Sequence, residues 1–477
     1  TGEDITSRTL EIEFTRGSDY ASQLVGKTVA GVLNATINNV SGDYSTFNAS
    51  SPLYGNLLPG RKVKLTGNDG STTRTLWTGF IDSINPVPAV SGANLAKIKA
   101  IGPLDAAGWG GSDRDIDTGI IQLPRFWVQS TKTLKALRLI EETESSLIEE
   151  SATGNIVYRD RHARSKDTKS TVSQATYTDA SGGALSYSNI QQIDPLKFIY
   201  NELAAKMTPL DGSWILDSSA LDKDTQMGVD TAVLWTYPET TVNSPSISAG
   251  ATRTFVAQYP NSGSGSTSSA VDFWTTPVAT TDYLANDSAD GSGTNRTSSM
   301  TVTVTKRAQS MDIAIENGHS NTVYITKLQA RGHKVVTKDT FEVASTDSAS
   351  QTAYGKRTYP HPGKFIPDSE EAQNWADFHV TAWSEPVPLV KVTLNGNRST
   401  ATLTDIMSRD ISDLVTVTAT NDAGLGVSEG FFLESMHHSI DSNLNHRATF
   451  SLSQSAGYAG MFLVGSSALG YSTRLAY

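Results

Sequence analysis

The chain has 477 residues, with 38 basic side chains against 49 acidic ones for a net charge of −11, and it contains no cysteine. That acidity argues against a general nucleic-acid binder, which needs a cationic face to displace counterions. The missing thiols exclude disulfide scaffolds, cysteine-ligated zinc, iron–sulfur sites and thiol nucleophiles. At roughly 150 residues per domain the length suggests about three domains, and 38% hydrophobic residues suit a large β protein with several modest cores. No run of ~18 apolar residues occurs, so no membrane span is expected. The opening Thr-Gly-Glu-Asp-Ile-Thr has neither the basic nor the apolar region of a secretory leader, and no initiator Met.

The first hundred residues read as β. Val29, Gly31, Leu33, Ala35 and Ile37 alternate with their neighbours, and a period of two puts one set on a buried face. Arg61–Thr66, Leu76–Ile84 and Leu95–Ile101 follow as strands, separated by turn signals at Pro59-Gly60, Asn68-Asp-Gly70 and Pro86/Pro88. Pro103 and Gly108–Gly111 close this segment. Residues from about 115 to 230 read as a small α+β unit. Thr131 caps an expected helix running to about Glu150, with Leu134, Leu137 and Leu147 on one side. Asp194-Pro195 starts a second, with Leu196, Ile199, Leu203 and Met207 as its stripe. Trp214–Leu216 reads as a strand.

From about 231 to 340 the chain is rich in Ser, Thr, Gly and Asn. Strand-like pieces at Ala232–Tyr237, Thr252–Gln258, Met300–Thr305, Met311–Ile315 and Thr322–Leu328 alternate with loops such as Asn261–Thr267 and Asn286–Thr294. This is the pattern of an inserted β-sandwich with polar loops. Asp368-Ser-Glu-Glu371 then leads into Ala372, Trp375, Ala376, His379 and Trp383, an apolar stripe with acids in its first turn, which predicts a helix ended by Glu385-Pro386. Leu389–Leu394, Leu414–Thr420, Phe431–Ile440 and Arg447–Leu452 read as strands, with Asn421–Gly424 as a hairpin connection. The end, from Ser455 to Tyr477, is small, polar and Gly-rich, an extended arm.

Few residues suggest chemistry. Gly26-Lys27-Thr28 lacks the earlier glycine of a phosphate loop, because position 21 is Ala, and a strand follows it rather than a helix. Asp113, Asp115 and Asp117 have calcium-loop spacing, yet Thr118 and Pro124 stand where an EF-hand needs Gly and Glu, so a solvated acidic turn beside an arginine is the simpler reading. His437 and His438 lie on one expected strand and point to opposite faces, so they cannot readily share a metal; one packed and one exposed ring is expected. His361 stands alone, and His379 sits on a helix's apolar stripe as a hydrogen-bonded core residue. Glu141-Glu142 and Glu149-Glu150 read as solvated charges on an exposed helical face, and no Gly-x-Ser-x-Gly elbow is placed between a strand and a helix. The Asn-x-Ser/Thr triplets at Asn34 and Asn48 are expected by chance in so Ser/Thr-rich a chain. Trp235, Trp274 and Tyr283 read as core rather than as sugar-stacking platforms. No catalytic, cofactor-binding or metal-ligating residue is therefore assigned, no cofactor is expected, and the chain reads as a structural protein rather than an enzyme.

Asp4–Arg8 with Phe14–Gly17, Val32–Asn39, Tyr44–Asn48, Ser51–Arg61 and Leu76–Asp82 form an ordered set of patches. In that order they resemble the opening domain of bacteriophage tail proteins of the baseplate-hub or tail-tip class. Thr322–Gly332, Tyr354–Arg357, Leu414–Val417, Phe432–Ser435 and Leu469–Leu475 resemble later segments of the same proteins. The resemblance implies two small β-barrel domains, which flank the mixed α/β region and the inserted β-sandwich read from the residues, for a mainly β fold with α+β elements. The corresponding divisions are a barrel at 1–105, a mixed domain at 106–230, the sandwich at 231–340, a helical return at 341–388, a second barrel at 389–455 and an arm at 456–477. The minimal hub lacks the large insertion. The resemblance further implies a virion protein at the distal end of the tail, a homotrimeric ring that caps the sixfold tube, adapts it to a threefold tip and takes part in DNA ejection. Its implied partners are copies of itself, a tail tube or distal tail ring protein, the tape-measure protein, and tail fibre or central spike proteins, with no specific nucleic-acid binding. The alternatives are a host-surface glycan binder and, behind it, a cell-wall hydrolase.

Overall fold

In the computed structural model the described residues are 2–18, 28–89, 93–106, 113–121, 123, 131–180, 182–193, 195–207, 210–212, 232–237, 244–259, 271–337, 341–361, 366, 369–386, 389–421 and 424–455. The fold is mainly β with several sheets and a minority of helix. The chain divides into two compact units. One holds Thr1–Gln122, Ser130–Ala205 and Glu342–Tyr477; the other holds Leu123–Gln129 and Lys206–Phe341.

In the first unit the N-terminal strands are β1 (Thr9–Gly17), β2 (Val32–Asn38), β3 (Lys62–Asn68), β4 (Thr73–Val87) and β5 (Leu95–Ile101). After them come β6 (Arg114–Ile116), helix α1 (Thr133–Glu144), β7 (Leu147–Glu150), β8 (Ile156–Arg159), the short helices α2 (Ala163–Lys166) and α3 (Thr168–Thr171), β9 (Ala175–Thr178), β10 (Asn189–Ile193) and β11 (Glu202–Met207). The second unit contains β12 (Leu210–Gly212), β13 (Ala232–Tyr237), β14 (Ser246–Ile247), β15 (Thr252–Gln258), β16 (Val271–Trp274), β17 (Tyr283–Asn286), β18 (Met300–Lys306), β19 (Ser310–Asn317) and β20 (Val323–Thr337). The chain then returns through β21 (Phe341–Thr346), β22 (Thr358–His361), β23 (Leu389–Asn395), β24 (Leu414–Ala419), β25 (Val427–Ile440) and β26 (His446–Gln454). Helices Ser348–Tyr354, Ser369–Trp383 and Thr400–Ser408 lie between these strands.

The two ends of the chain meet in one eleven-stranded sheet. Its main path runs β10-β23-β26-β25-β1-β2-β5-β4-β3, with β24 on β25 and β9 on β24. The junction is the antiparallel pair β1–β25, in register from Ile12↔Ile440 to Gly17↔Ser435. Alternation supplies the core beneath it: Leu33, Ala35 and Ile37 on β2 are buried together with Phe14, Trp77, Tyr177, Val392, Val417, Phe431 and Phe450. The second unit is built on β20, which pairs antiparallel with β12, β13, β14, β16 and β17. A second sheet, β15-β19-β18, shares its core through Phe255, Met311, Ile313 and Ile315 against Val323, Ile325 and Leu328.

Several local expectations are corrected. The helix expected to reach Glu150 stops at Glu144, because Ser145 takes a left-handed conformation at φ 52° and its N–H closes on the Glu141 carbonyl; Leu147–Glu150 is then a strand against β8. Of the expected Asp194-Pro195 start, Asp194 lies outside the described residues, and Pro195–Phe198 forms only a 3-10 turn. The stripe continues as β11, because Asn201 is fully buried and receives the Arg357 N–H while donating to the Gly355 carbonyl, which aligns Glu202–Ala205 parallel to β22. Pro86 does not end its strand but lies inside β4 opposite Ala96. Beyond Phe80 no β3 partner flanks β4, and a strand with one open side tolerates proline. Helix Thr400–Ser408, which the sequence reading passed over, is capped by Ser399, whose Oγ accepts from Thr402 N. Gly108–Gly111, Trp214–Leu216, Asn261–Thr267, Asp422-Ala423 and 456–477 lie outside the described residues.

Gly17 closes β1 at φ +106°, where a Cβ would overlap the Glu434 carbonyl oxygen and come 2.7 Å from Ser435 Cα. Gly17→Ala is expected to destabilise the first unit by more than about 1 kcal/mol, since both the backbone angle and the space refuse a side chain. A urea denaturation series checks this, and an unchanged midpoint would refute it.

Candidate functional site

A buried polar network among the described residues of the first unit is assembled from α1, β7, α2 and α3. Glu141, Glu149 and Glu150 are buried, against the expectation that both glutamate pairs are solvated; Glu142 alone of the four is partly exposed. The reason is the early end of α1, which turns β7 inward. Glu150 Oε2 accepts from Gly31 N and its Oε1 from Leu104 N, both at 2.7 Å. Gly102 lies so close to this carboxylate that any Cβ would overlap it. Glu141 accepts from Thr28 Oγ1 and, at 3.1 Å, from Ile148 N, while Arg138 donates to the Thr28 carbonyl at 2.9 Å. Glu149 faces Lys169 at 3.8 Å, and among the described residues its Oε2 has no hydrogen-bond partner. Burial raises all three carboxyls to about 7.

Next to them, α2 and α3 are fastened to the C-terminal strands. Arg164 donates two hydrogen bonds to Glu434 on β25, at 2.7 and 2.8 Å, and lies 4.8 Å from the Phe432 ring centroid. Burial pushes Glu434 up, but the Arg164 charge and hydrogen bonds hold it below its ordinary value. Lys169 donates to the Ile411 carbonyl and Ser170 to the Ser412 carbonyl, each at 2.8 Å. Arg16 on β1 pairs with Asp410. These charges join segments hundreds of residues apart, and every named oxygen acceptor is engaged from within the fold or faces a lysine. The arrangement can hold strands in place; it does not present a nucleophile with a base.

Thr28 is thus a buried partner of Glu141 and not part of a phosphate loop, while Gly26 and Lys27 lie outside the described residues. Asp115 and Asp117 both pair with Arg159 of β8, the arginine-neighboured turn expected from the sequence. His437 is exposed and His438 buried, as strand alternation requires. His438 stacks on Phe14 with centroids 4.5 Å apart, and its Nδ1 is 2.9 Å from His446 Nε2. His379 bonds the Trp375 carbonyl at 2.8 Å, as a core histidine should. His361 is isolated only in sequence: it packs 4.4 Å from the Trp375 ring and meets the Glu142 carbonyl at 3.1 Å. Trp274 and Tyr283 are buried in the second unit, and Trp235 stacks on Tyr237 at partial burial. Sequence reading missed Glu141, Glu149, Glu150, Arg164 and Asp410 as network members; the Ser145-Ser146 pair, a weak point for a helix, was the one available signal.

Buried histidines and buried carboxyls titrate with opposite signs. Burial lowers His361 and His446 to about 4, His379 to about 3 and His438 well below 6.5, so these rings contribute stability that is lost as pH falls below 6.5. Glu141, Glu149 and Glu150, raised to about 7, and Asp413, raised by burial to about 6, contribute stability that is lost as pH rises toward those values. Between about 4.5 and 6 the two sets nearly cancel. Stability of the first unit is therefore expected to be flat across that window, to fall steeply below pH 4.5 and to decline between about 6.5 and 7. Urea midpoints measured from pH 4 to 8 test this; a steep monotonic rise through the window would contradict it.

No protein-family model and no curated protein sequence matches the chain. Among solved structures it is similar to the 43 kDa tail protein of prophage MuSo2 from Shewanella oneidensis, at 12% identity and a TM-score of 0.42 over 94% of this chain and 95% of that one. It is also similar to a tail protein from Neisseria meningitidis, at 9% identity and a TM-score of 0.45 over 94% and 96%. A component of the type VI secretion system of E. coli, itself described as structurally similar to bacteriophage tail proteins, aligns at 8% identity and a TM-score of 0.36 over 96% and 76%.

Proposed function

We propose that this chain is a structural protein of a bacteriophage tail tip. In this reading it forms a homotrimeric hub ring that caps the tail tube, adapts its sixfold symmetry to a threefold tip and opens for DNA ejection. One observation carries the reading: five of the sequence patches that resemble hub proteins fall on strands of one sheet. They occupy β1, β2, β4, β24 and β25, of which β2, β1, β25 and β24 are consecutive hydrogen-bonded neighbours. Patches far apart in sequence thus converge on one wall, which is what a ring subunit needs to present to its neighbours. A closed ring requires heterologous contacts that complete a rotation. The other partners in this reading are a tube or distal ring protein, the tape-measure protein, and fibre or spike proteins. Gold-labelled antibody on intact particles tests it: label confined to the distal tip is expected, and label along the tube, or none on particles, would overturn it.

A further inference from the structure

Phe14 of β1 and His438 of β25 stand opposite each other across the junction that joins the two ends of the chain, their rings stacked 4.5 Å apart. On β26, His446 Nε2 lies 2.9 Å from His438 Nδ1, and Phe450 meets the His438 ring edge-on at 6.0 Å. Both histidines are buried. Two ring nitrogens at this distance share one hydrogen: one donates, and the other must keep its lone pair. A second hydrogen between them would set two N–H groups against each other and break the contact. A proton taken up elsewhere on the pair leaves a cation in the core, and at His438 Nε2 it meets no acceptor among the described residues. The titratable and charged groups bearing on His438 are Arg16 from β1, His437 from β25 itself and His446 from β26, each of which opposes a further positive charge. Arg16 is itself paired with Asp410, and among the described residues no carboxylate acts on either ring. We propose that the His438–His446 pair is an acid-released clasp on the β1–β25 junction, holding while both rings are neutral and letting the strands part as they take up protons. The step is proton uptake from water by each ring, with no other chemistry. Burial holds His438 well below 6.5 and His446 at about 4, so the junction is tightest above pH 6.5 and weakens as pH falls toward 4.5. Glu434, held below its ordinary value, keeps its charge over that range. Overall stability of the first unit is level between about pH 4.5 and 6, so a local opening of this junction is distinguishable from global unfolding.

The test is hydrogen exchange of the full chain, read by mass spectrometry and corrected for intrinsic rates, from about pH 6.5 down to 4.5. Residues 12–17 and 435–440 are expected to lose protection as pH falls, by up to about tenfold per unit for each ring. Strand β19 of the second unit should change far less. His361 and His379 titrate with the same sign elsewhere in the first unit, so the deciding contrast is with His438→Gln/His446→Gln, in which the loss at 12–17 and 435–440 should vanish. Should the double variant not fold, His446→Gln alone should reduce the logarithmic slope by about half. Equal loss in wild type and variant, or level protection of these residues in the wild type, overturns the proposal. Nitrogen-15 NMR of the histidine rings in the wild-type chain gives an independent reading: His438 and His446 both neutral at about pH 5.5 support it, and both titrating near their ordinary 6.5 contradict it.

Discussion

Replacing Arg164 with methionine is expected to destabilise the first unit by about 3–5 kcal/mol, the usual cost of stranding one partner of a buried ion pair. Glu434 would keep Ser453 as a donor but lose both guanidinium hydrogen bonds, and its carboxylate would remain buried. The same change removes the cation above Phe432 and the contact to Ser412 Oγ. The sign of the pH effect separates the charge from the packing. Without Arg164, burial, the largest influence on Glu434, is opposed only by serine hydrogen bonds and raises it relative to wild type, so the deficit should shrink as pH falls and the carboxyl is protonated. Arg164→Met/Glu434→Gln should recover part of the loss at neutral pH. Calorimetry at pH 7 and pH 5 checks both points; a deficit equal at the two pH values would mean that packing, not the stranded charge, is responsible.

Trp375→Ala is the second large effect, also about 3–5 kcal/mol. Trp375 is 1% exposed and central to an aromatic cluster, with His361 at 4.4 Å, His379 at 4.8 Å and Tyr359 at 6.3 Å between ring centroids. Its Nε1 donates to Ser145 Oγ at 3.1 Å, the residue that ends α1 in a left-handed turn. The indole therefore supports the point at which the chain swings Glu149 and Glu150 inward. Trp375→Phe should cost less, because it keeps most of the ring volume and loses only the hydrogen bond and the larger face. Equal urea midpoints for the alanine and phenylalanine variants would show that ring volume is not what matters.

Elements with strong periodicity were legible in the chain itself. Strand β2 follows from Leu33, Ala35 and Ile37, and helix Ser369–Trp383 from its stripe and first-turn acids, because each pattern reports directly which face is buried. The opposite fates of His437 and His438 follow from the same alternation. What escaped was decided by partners remote in sequence. Leu196, Ile199, Leu203 and Met207 have helical spacing, but β22, more than 150 residues on, pairs with Glu202–Ala205 and makes a strand. Glu149 and Glu150 look solvated in any local window; only the left-handed Ser145 and the donors at Gly31, Leu104 and Lys169 bring them inside. The helix Thr400–Ser408 was hidden by its threonines, residues of weak helix propensity, and stands on the Ser399 cap and the burial of Ile406.

The most direct test of a ring-forming subunit is its mass in solution. Sedimentation velocity on the full chain, over a wide concentration range, is expected to give a species of three times the 51.0 kDa protomer mass. A particle that remains at 51.0 kDa at every concentration would contradict the trimeric hub.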